Sequence, residues 1–483
     1  MENKKTHFST RPNPSTVKEI KSFAVAWLHT TGPEILRDRV FQVGGIRLDN
    51  YGKREEKIWL VDPKKPITRT ARLRSGINNS ELRGKPDFQK IQNEIELFFQ
   101  GCDLIFIPGF SNQVEWFGKK VIPAKSLALH DLFILAQYFL PEIEVYDPAN
   151  LYYFTHRKPL PSKSLKPILG TSLKILHRIV EKIASDPRPF YRVLPDLLTM
   201  TEDRTLQVVS RLIKDAKQFS FGPNLNIFET SELKNKVQPS LIDGEVILKS
   251  LWLKGSVTKP KESPINDKDQ EADDKPVLSK QYAEEVFDFI GKDIQKYKKR
   301  SKQSIYSNAV SDALISADIS FVESGTGTGK SLGYLLAAMD LLEKSKNEKL
   351  IISTATKNLQ TQLLEREIPR LAKRFPNMKT SILKGKGNYL CLSALKRAFR
   401  TCFEQNDHSD TTLESRGAWI YLVNLVHSLN NGDLEIIPRR LFSWFPSLRQ
   451  MIQDTNAASH CKVGSCKPEL DIYGRIKQKA FMS

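Results

Sequence analysis

An α/β fold is predicted by three features of the chain. Its first third sets short runs rich in β-branched and aromatic residues against segments with helical apolar spacing. Further on, an apolar run from Ile319 to Val322 enters a loop of alternating glycines. A second apolar run, Leu332 to Leu342, leaves that loop with helical character.

In order, strands are predicted at residues 22–30, 40–48 and 56–62. A helix follows over about 86–100, where Phe88, Ile91, Ile95 and Phe98 recur at helical spacing. Leu104 to Ile107 reads as another short strand, and helical patterns return at 131–140 and 171–184. Residues 186–254 alternate helix-like stretches, chiefly 193–219, with irregular ones and carry no motif. Residues 255–279 are almost devoid of large apolar groups and read as a flexible tether and domain boundary. Beyond it, 280–300 is predicted helical and ends in Lys296, Lys298, Lys299 and Arg300. A strand-like run opens the segment 349–368. The expected organisation is a domain over 18–185, an unassigned helical region over 186–254, the tether, and a nucleotide-binding domain over 280–483.

The chemistry is most explicit in the loop. Gly325, Gly327 and Gly329 lack side chains, so backbone N–H groups can close around phosphate oxygens. Thr326 and Thr328 alternate with them. Lys330 is placed to reach the outer phosphates, and the Ser331 hydroxyl to ligate Mg²⁺. Ser324 stands where the strict P-loop pattern has glycine. A nucleoside triphosphate with Mg²⁺ is the expected ligand.

Composition narrows the partners. A net charge of +19 over 483 residues favours a polyanion, nucleic acid ahead of membrane. No stretch approaches the ~20 apolar residues of a membrane span, and the N-terminus lacks the apolar core of a secretion signal. Five cysteines, an odd number, argue for a reducing compartment, with the cytoplasm expected.

Residues 26–32 (AWLHTTG), 40–48 (VFQVGGIRL), 75–82 (SGINNSEL) and 105–117 (IFIPGFSNQVEWF) together resemble the DnaQ-like 3′→5′ exonuclease family, an RNase H-like fold. That family holds two metal ions on four carboxylates. Here Trp27 and His29 stand at the first two carboxylate positions, Gln113 at the third, and the fourth falls near Gly170. Thr30, Thr31 and Gly32, which shape the turn, are kept. Hard divalent ions need anionic oxygens that Trp and Gln cannot supply. The resemblance therefore implies a catalytically inactive exonuclease-like domain, the alternative being an active exonuclease with relocated ligands. Asp131 resembles a family position that is not a metal ligand.

The last third resembles the DinG/XPD group of superfamily 2 helicases. Four motifs carry it in order. They are Arg300 with Gln303, Glu323 to Ser331, Ser353 to Leu363, and Lys384 to Cys391. The resemblance implies that Gln303 contacts adenine and that Thr354, Thr356, Asn358 and Gln360 touch a single-strand backbone. It also implies that Cys391, Cys461 and Cys466 hold part of a [4Fe–4S] cluster. A fourth cysteine is missing, since Ile472 precedes Tyr473; Cys402 lies nearby in sequence, and Cys102 reads as a structural thiol. The implied activity is ATP-dependent 5′→3′ unwinding of single-stranded or forked DNA in repair. The sequence holds no Asp-Glu-x-His box and no second motor lobe, so an incomplete motor domain is expected. Such a chain binds ATP but does not unwind alone, and a separate polypeptide is the expected source of the other lobe. The alternative is a non-catalytic ATP- and nucleic-acid-binding protein.

Overall fold

The computed structural model describes residues 20–109, 112–123, 128–143, 145–161, 164–215, 277–292, 301–316, 319–344, 348–404, 410–429, 432–460 and 472–482. The chain divides into two compact units. Unit 1 comprises 1–255 with 386–473, and unit 2 comprises 256–385 with 474–483.

Unit 1 is built on a five-stranded mixed sheet of order β3-β2-β1-β4-β5. Its strands are β1 (Ser22–Thr30), β2 (Val40–Asp49), β3 (Arg54–Leu60), β4 (Leu104–Ile107) and β5 (Leu129–Asp131). β1 to β3 form an antiparallel meander, while β4 and β5 extend the sheet in parallel from the other side of β1. This is the mixed α/β architecture expected of an RNase H-like exonuclease fold, and the four strands read from sequence fall within two residues of their observed bounds.

Five helices lie between and after these strands. They are α1 (Arg69–Ser75), α2 (Asn79–Leu82), α3 (Phe88–Phe99), α4 (Gln113–Trp116) and α5 (Leu132–Phe139). Period-two alternation gives β1 two buried faces. Ala24, Ala26 and Leu28 join the core that α3 supplies with Ile91, Ile95, Phe98 and Phe99. Trp27, on the opposite face, meets Phe133 of α5 edge-to-face at 6.3 Å. The Gly44–Gly45 pair of β2 allows close packing on both faces. A Cβ at Gly45 would lie 2.7 Å from the Phe99 ring, and one at Gly44 3.0 Å from Leu165 and Leu169.

The chain continues through α6 (Pro148–His156), α7 (Leu165–Ser185), α8 (Pro189–Thr199) and α9 (Arg204–Asp215). These account for the described part of the region expected to be helical. Residues 216–254, and all but 277–279 of the expected tether, lie outside the described residues.

In unit 2, α10 (Lys280–Gly291), α11 (Ser301–Ser316) and α12 (Lys330–Lys344) precede α13 (Lys357–Gln362) and α14 (Ile368–Ala372). α10 begins at the Ser279 cap, whose hydroxyl accepts from Tyr282 N–H. Val286, Phe287 and Ile290 of α10 pack with Leu335, Leu336 and Met339 of α12 and with Leu371 and Phe375. The predicted strands at 319–322 and at the start of 349–368 do not form. All strands of the described residues belong to the unit 1 sheet. Ile319 is 92% exposed, Phe321 96% and Ile351 84%. An apolar run becomes a strand only where a neighbour takes its backbone hydrogen bonds. Among the described residues of unit 2 neither run has one.

The second difference concerns 386–473, expected in the nucleotide-binding domain but compact with unit 1. Its helices are α15 (Leu392–Glu404), α16 (Asp410–Leu429), α17 (Arg439–Trp444), α18 (Leu448–Thr455) and α19 (Ala457–His460). α16 is buried from Ala418 to Leu425. Its Asn424, wholly buried, donates to Tyr138 O at 2.7 Å and accepts from Tyr191 OH at 2.8 Å. Tyr138 OH in turn donates to Gly417 O at 2.7 Å. Lys182 reaches Ser428 Oγ at 2.9 Å, and the Phe190 ring stacks on His427 at 4.9 Å. Apolar packing of α16 on α5 and α8 supplies the energy, and these bonds fix the register. Among the described residues no helix is long and apolar enough to cross a membrane.

Asn424→Ala is expected to lower the stability of unit 1 by about 2–3 kcal/mol, because two buried polar groups lose their partner. Urea unfolding followed by tryptophan fluorescence reads this. An unchanged midpoint would mean that α16 does not pack as described.

Candidate functional sites

The loop before α12 is a tight glycine-rich turn that ends at a helix N-terminus. Gly327 and Gly329 take positive φ of 73° and 84°, a conformation that side chains disfavour. Thr328 Oγ1 donates to Gly325 O at 2.9 Å, tightening the turn. Ser324, the departure from the strict pattern, is put to use: its hydroxyl meets Thr328 Oγ1 at 2.7 Å. Lys330 Nζ folds over the loop and donates to Ser324 O at 2.8 Å and Gly325 O at 2.9 Å. An anion at this loop would compete for that ammonium with a full negative charge, and charge-assisted bonds are the stronger ones. α12 starts at Lys330, so its N-terminal dipole points toward the loop. Thr326 is exposed, and Ser331, the expected Mg²⁺ ligand, is half-buried beside the Tyr334 hydroxyl.

Gln303, expected at the adenine, sits buried beneath the same loop. Its Nε2 donates to Gly329 O at 2.9 Å. α11 can approach this closely because Gly329 has no side chain. A Cβ there would lie 2.4 Å from the Gln303 amide nitrogen.

The residues expected to touch a strand gather at the start of α13. Thr356 caps it, accepting from Leu359 N–H at 3.3 Å, and Thr354 Oγ1 donates to Thr356 O at 3.2 Å. Thr356 and Asn358 are exposed, Thr354 and Gln360 half-buried. All four present hydroxyls or amides without charge.

Cys391 is buried at the start of α15, where Leu390 N–H donates to Gly432 O at 2.8 Å and Ala457 N–H to Tyr389 O at 2.7 Å. Its motif is thus threaded into unit 1. Cys402 lies buried on α15, and burial pushes its thiol pKa up. Cys461 and Cys466 lie outside the described residues, as does Arg300.

In unit 1 three of the positions named from sequence, Trp27, His29 and Gln113, lie close together. Gln113 Nε2 donates to Leu28 O at 3.2 Å, which brings α4 to the stretch of β1 between Trp27 and His29. None of these three side chains is an acid. Trp27 is buried in the core, a contribution of roughly 4–6 kcal/mol at most from its removed area. His29 Nδ1 lies 2.9 Å from Gln42 Oε1, and its ring stacks on Phe41 at 5.8 Å. Burial pushes its pKa down to about 4, against the Gln42 bond, and the nearby Arg74 charge adds to the fall. At neutral pH the imidazole is therefore uncharged. Thr31 holds the following turn, donating to Asp38 Oδ1 at 2.9 Å. Asp131 caps α5 through Phe133 N–H at 2.8 Å and Ile134 N–H at 3.2 Å, a structural duty. Gly170, near the fourth position, lies on α7 with open space where a side chain would extend. Sequence reading passed over Arg69, Arg72 and Arg74 of α1, although their close spacing in RTARLR was visible.

Two outcomes are expected. Gly329→Ala should abolish nucleotide binding in equilibrium dialysis, since both its φ and Gln303 forbid the methyl group; retained affinity would disprove the loop geometry. His29 and His130 titrate near 4 and His427 near 3, all lowered chiefly by burial. Between about pH 6.5 and 4 the unfolded chain takes protons that the folded chain refuses, so stability falls as pH falls through that window. The urea midpoint of unit 1 should drop between pH 7 and pH 5, and less so in His29→Gln.

No family model matches the chain. It is 23% identical over 474 residues to the 3′-5′ exonuclease DinG of Bacillus subtilis, covering 95% of this chain and 46% of that protein. It is 37% identical over 107 residues to the ATP-dependent DNA helicase YoaA of Haemophilus influenzae, 22% of this chain and 16% of that protein. The ATP-dependent helicase DinG of Mycobacterium tuberculosis is 35% identical over 117 residues, 23% and 17% of the two chains. The chain thus spans about half the length of the Bacillus relative and far less of the other two. A solved complex of Escherichia coli ExoI with single-stranded DNA aligns over 90% of this chain and 99% of that one, at 13% identity and a TM-score of 0.28. By sequence, the chain is related to proteins named DinG and YoaA, an exonuclease and ATP-dependent DNA helicases among them.

Proposed function

We propose that this chain is the ATP-binding and DNA-binding part of a DinG-type ATP-dependent helicase, acting on single-stranded or forked DNA in repair. The observation that carries this reading is the cradle of Gly325, Gly327, Gly329 and Lys330 at the N-terminus of α12, braced from below by Gln303. In this reading Lys330 moves from the loop carbonyls to the outer phosphates, and Ser331 supplies a hydroxyl to Mg²⁺. The four polar residues around α13 follow the sugar–phosphate backbone without reading bases, which suits sequence-independent tracking. Turnover needs a carboxylate on the metal and water, and a second lobe that closes on the nucleotide. Neither is supplied by the motifs of this chain, so a further polypeptide segment completes the motor. Cys391 with Cys461 and Cys466 is the proposed partial ligand set of a [4Fe–4S] cluster, and the cytoplasm is the proposed location.

Lys330→Ala should lower ATP affinity at least a hundredfold in calorimetric titration without shifting the unfolding midpoint. Equal affinity in the two proteins would overturn the assignment. Hydrolysis stimulated by single-stranded DNA and lost in Lys330→Ala would show turnover by this chain alone, and binding without hydrolysis fits the incomplete motor.

A further inference from the structure

We propose that Ser324 sets the affinity of the nucleotide site by latching its loop: through Thr328, its hydroxyl holds in place the backbone carbonyls that occupy Lys330, and a nucleotide binds against that latch. This role rests on the nucleotide-binding reading above and regulates that same site.

The protons fix the direction of the latch. A hydroxyl has one proton to give. Thr328 Oγ1 gives its own to Gly325 O at 2.9 Å. The 2.7 Å bond between Thr328 Oγ1 and Ser324 Oγ is then donated by Ser324. Lys330 Nζ completes the ring, donating to Ser324 O at 2.8 Å and to Gly325 O at 2.9 Å. Ser324 therefore enters twice, once with its hydroxyl and once with its carbonyl. Gly325 O has both lone pairs engaged, one by Thr328 and one by Lys330. Residues 324 and 325 are thus tied to 328 and 330, while Thr326 and Gly327 stand exposed at the tip. A glycine at 324 would offer no hydroxyl, so the latch is particular to the serine that departs from the strict pattern.

A phosphate engages Lys330 only when the ammonium leaves those two carbonyls. The Ser324–Thr328 bond keeps the carbonyls where Lys330 meets both at once. A bond that stabilises an arrangement the ligand does not use lowers apparent affinity, because fewer molecules are competent to bind at any moment. Removing one hydroxyl–hydroxyl bond shifts such an equilibrium by about threefold to tenfold.

The test titrates the full chain with ATP and Mg²⁺ in a calorimeter and follows a fluorescent ATP analogue by stopped flow. S324A should bind about threefold to tenfold more tightly, chiefly through faster association. S324T, which keeps a hydroxyl, should restore the weaker binding. In a T328V background Ser324 has no hydroxyl to bond, and S324A should then change nothing. A serine that merely stabilised the fold would alter the unfolding midpoint and leave the association rate alone. Equal or weaker binding by S324A, or the same gain with and without Thr328, would overturn the latch while Lys330→Ala still tests the nucleotide reading. Nucleotide binding by none of these proteins would overturn that reading, and the latch with it.

Discussion

The organisation of unit 1 depends on one buried amide. Asn424 places both ends of its side chain in bonds that no solvent can replace, one to the end of α5 and one to α8. A buried amide whose donors and acceptor are left unmade costs more than its bonds contribute when made. α16 can therefore sit against α5 and α8 in one register only. Around that register Tyr138, Tyr421, Trp444 and Phe445 pack their rings at 4.7–5.8 Å. The segment that carries Cys391 is thereby part of the exonuclease-like unit's own core.

Much of this molecule was legible in its sequence where the signal is local. β1 to β4 announce themselves by short β-branched and aromatic runs, and α3 by Phe88, Ile91, Ile95 and Phe98. The glycine turn before α12 was legible because glycines at fixed offsets have a stereochemical reason, and Gly327 and Gly329 show it in their φ angles. What stayed hidden depends on distant partners. Nothing near Asn424 signals that its acceptor lies 286 positions earlier in the chain. Ile319 to Val322 has strand propensity, yet propensity yields to the lack of a neighbouring strand. Ser324 looked like a defect in the motif until its hydroxyl was seen to brace Thr328.

The two sites show opposite uses of a replaced residue. In the glycine loop, Ser324 departs from the pattern while its hydroxyl meets Thr328 Oγ1 and helps hold the turn. At the end of β1, the Trp27 indole is buried against Phe133, where it stabilises the core and offers no carboxylate to a metal. The kept Thr31 shows why the fold survives: it works through the turn, bonding Asp38 and Arg39 N–H, and never needed an ion.

The sequence order of the two units also has a consequence for synthesis. Unit 1 takes its residues from both sides of unit 2's main segment. A ribosome that has released 255 residues has made the whole sheet but none of α16. Tyr138, Tyr191 and Phe190 must then wait without their covering helix while some 155 further residues emerge before Asp410, about ten seconds at ordinary elongation rates. During that interval the nascent chain carries an open aromatic surface. How long that surface stays open is thus set by where the chain returns, and not by the stability of what it finally builds.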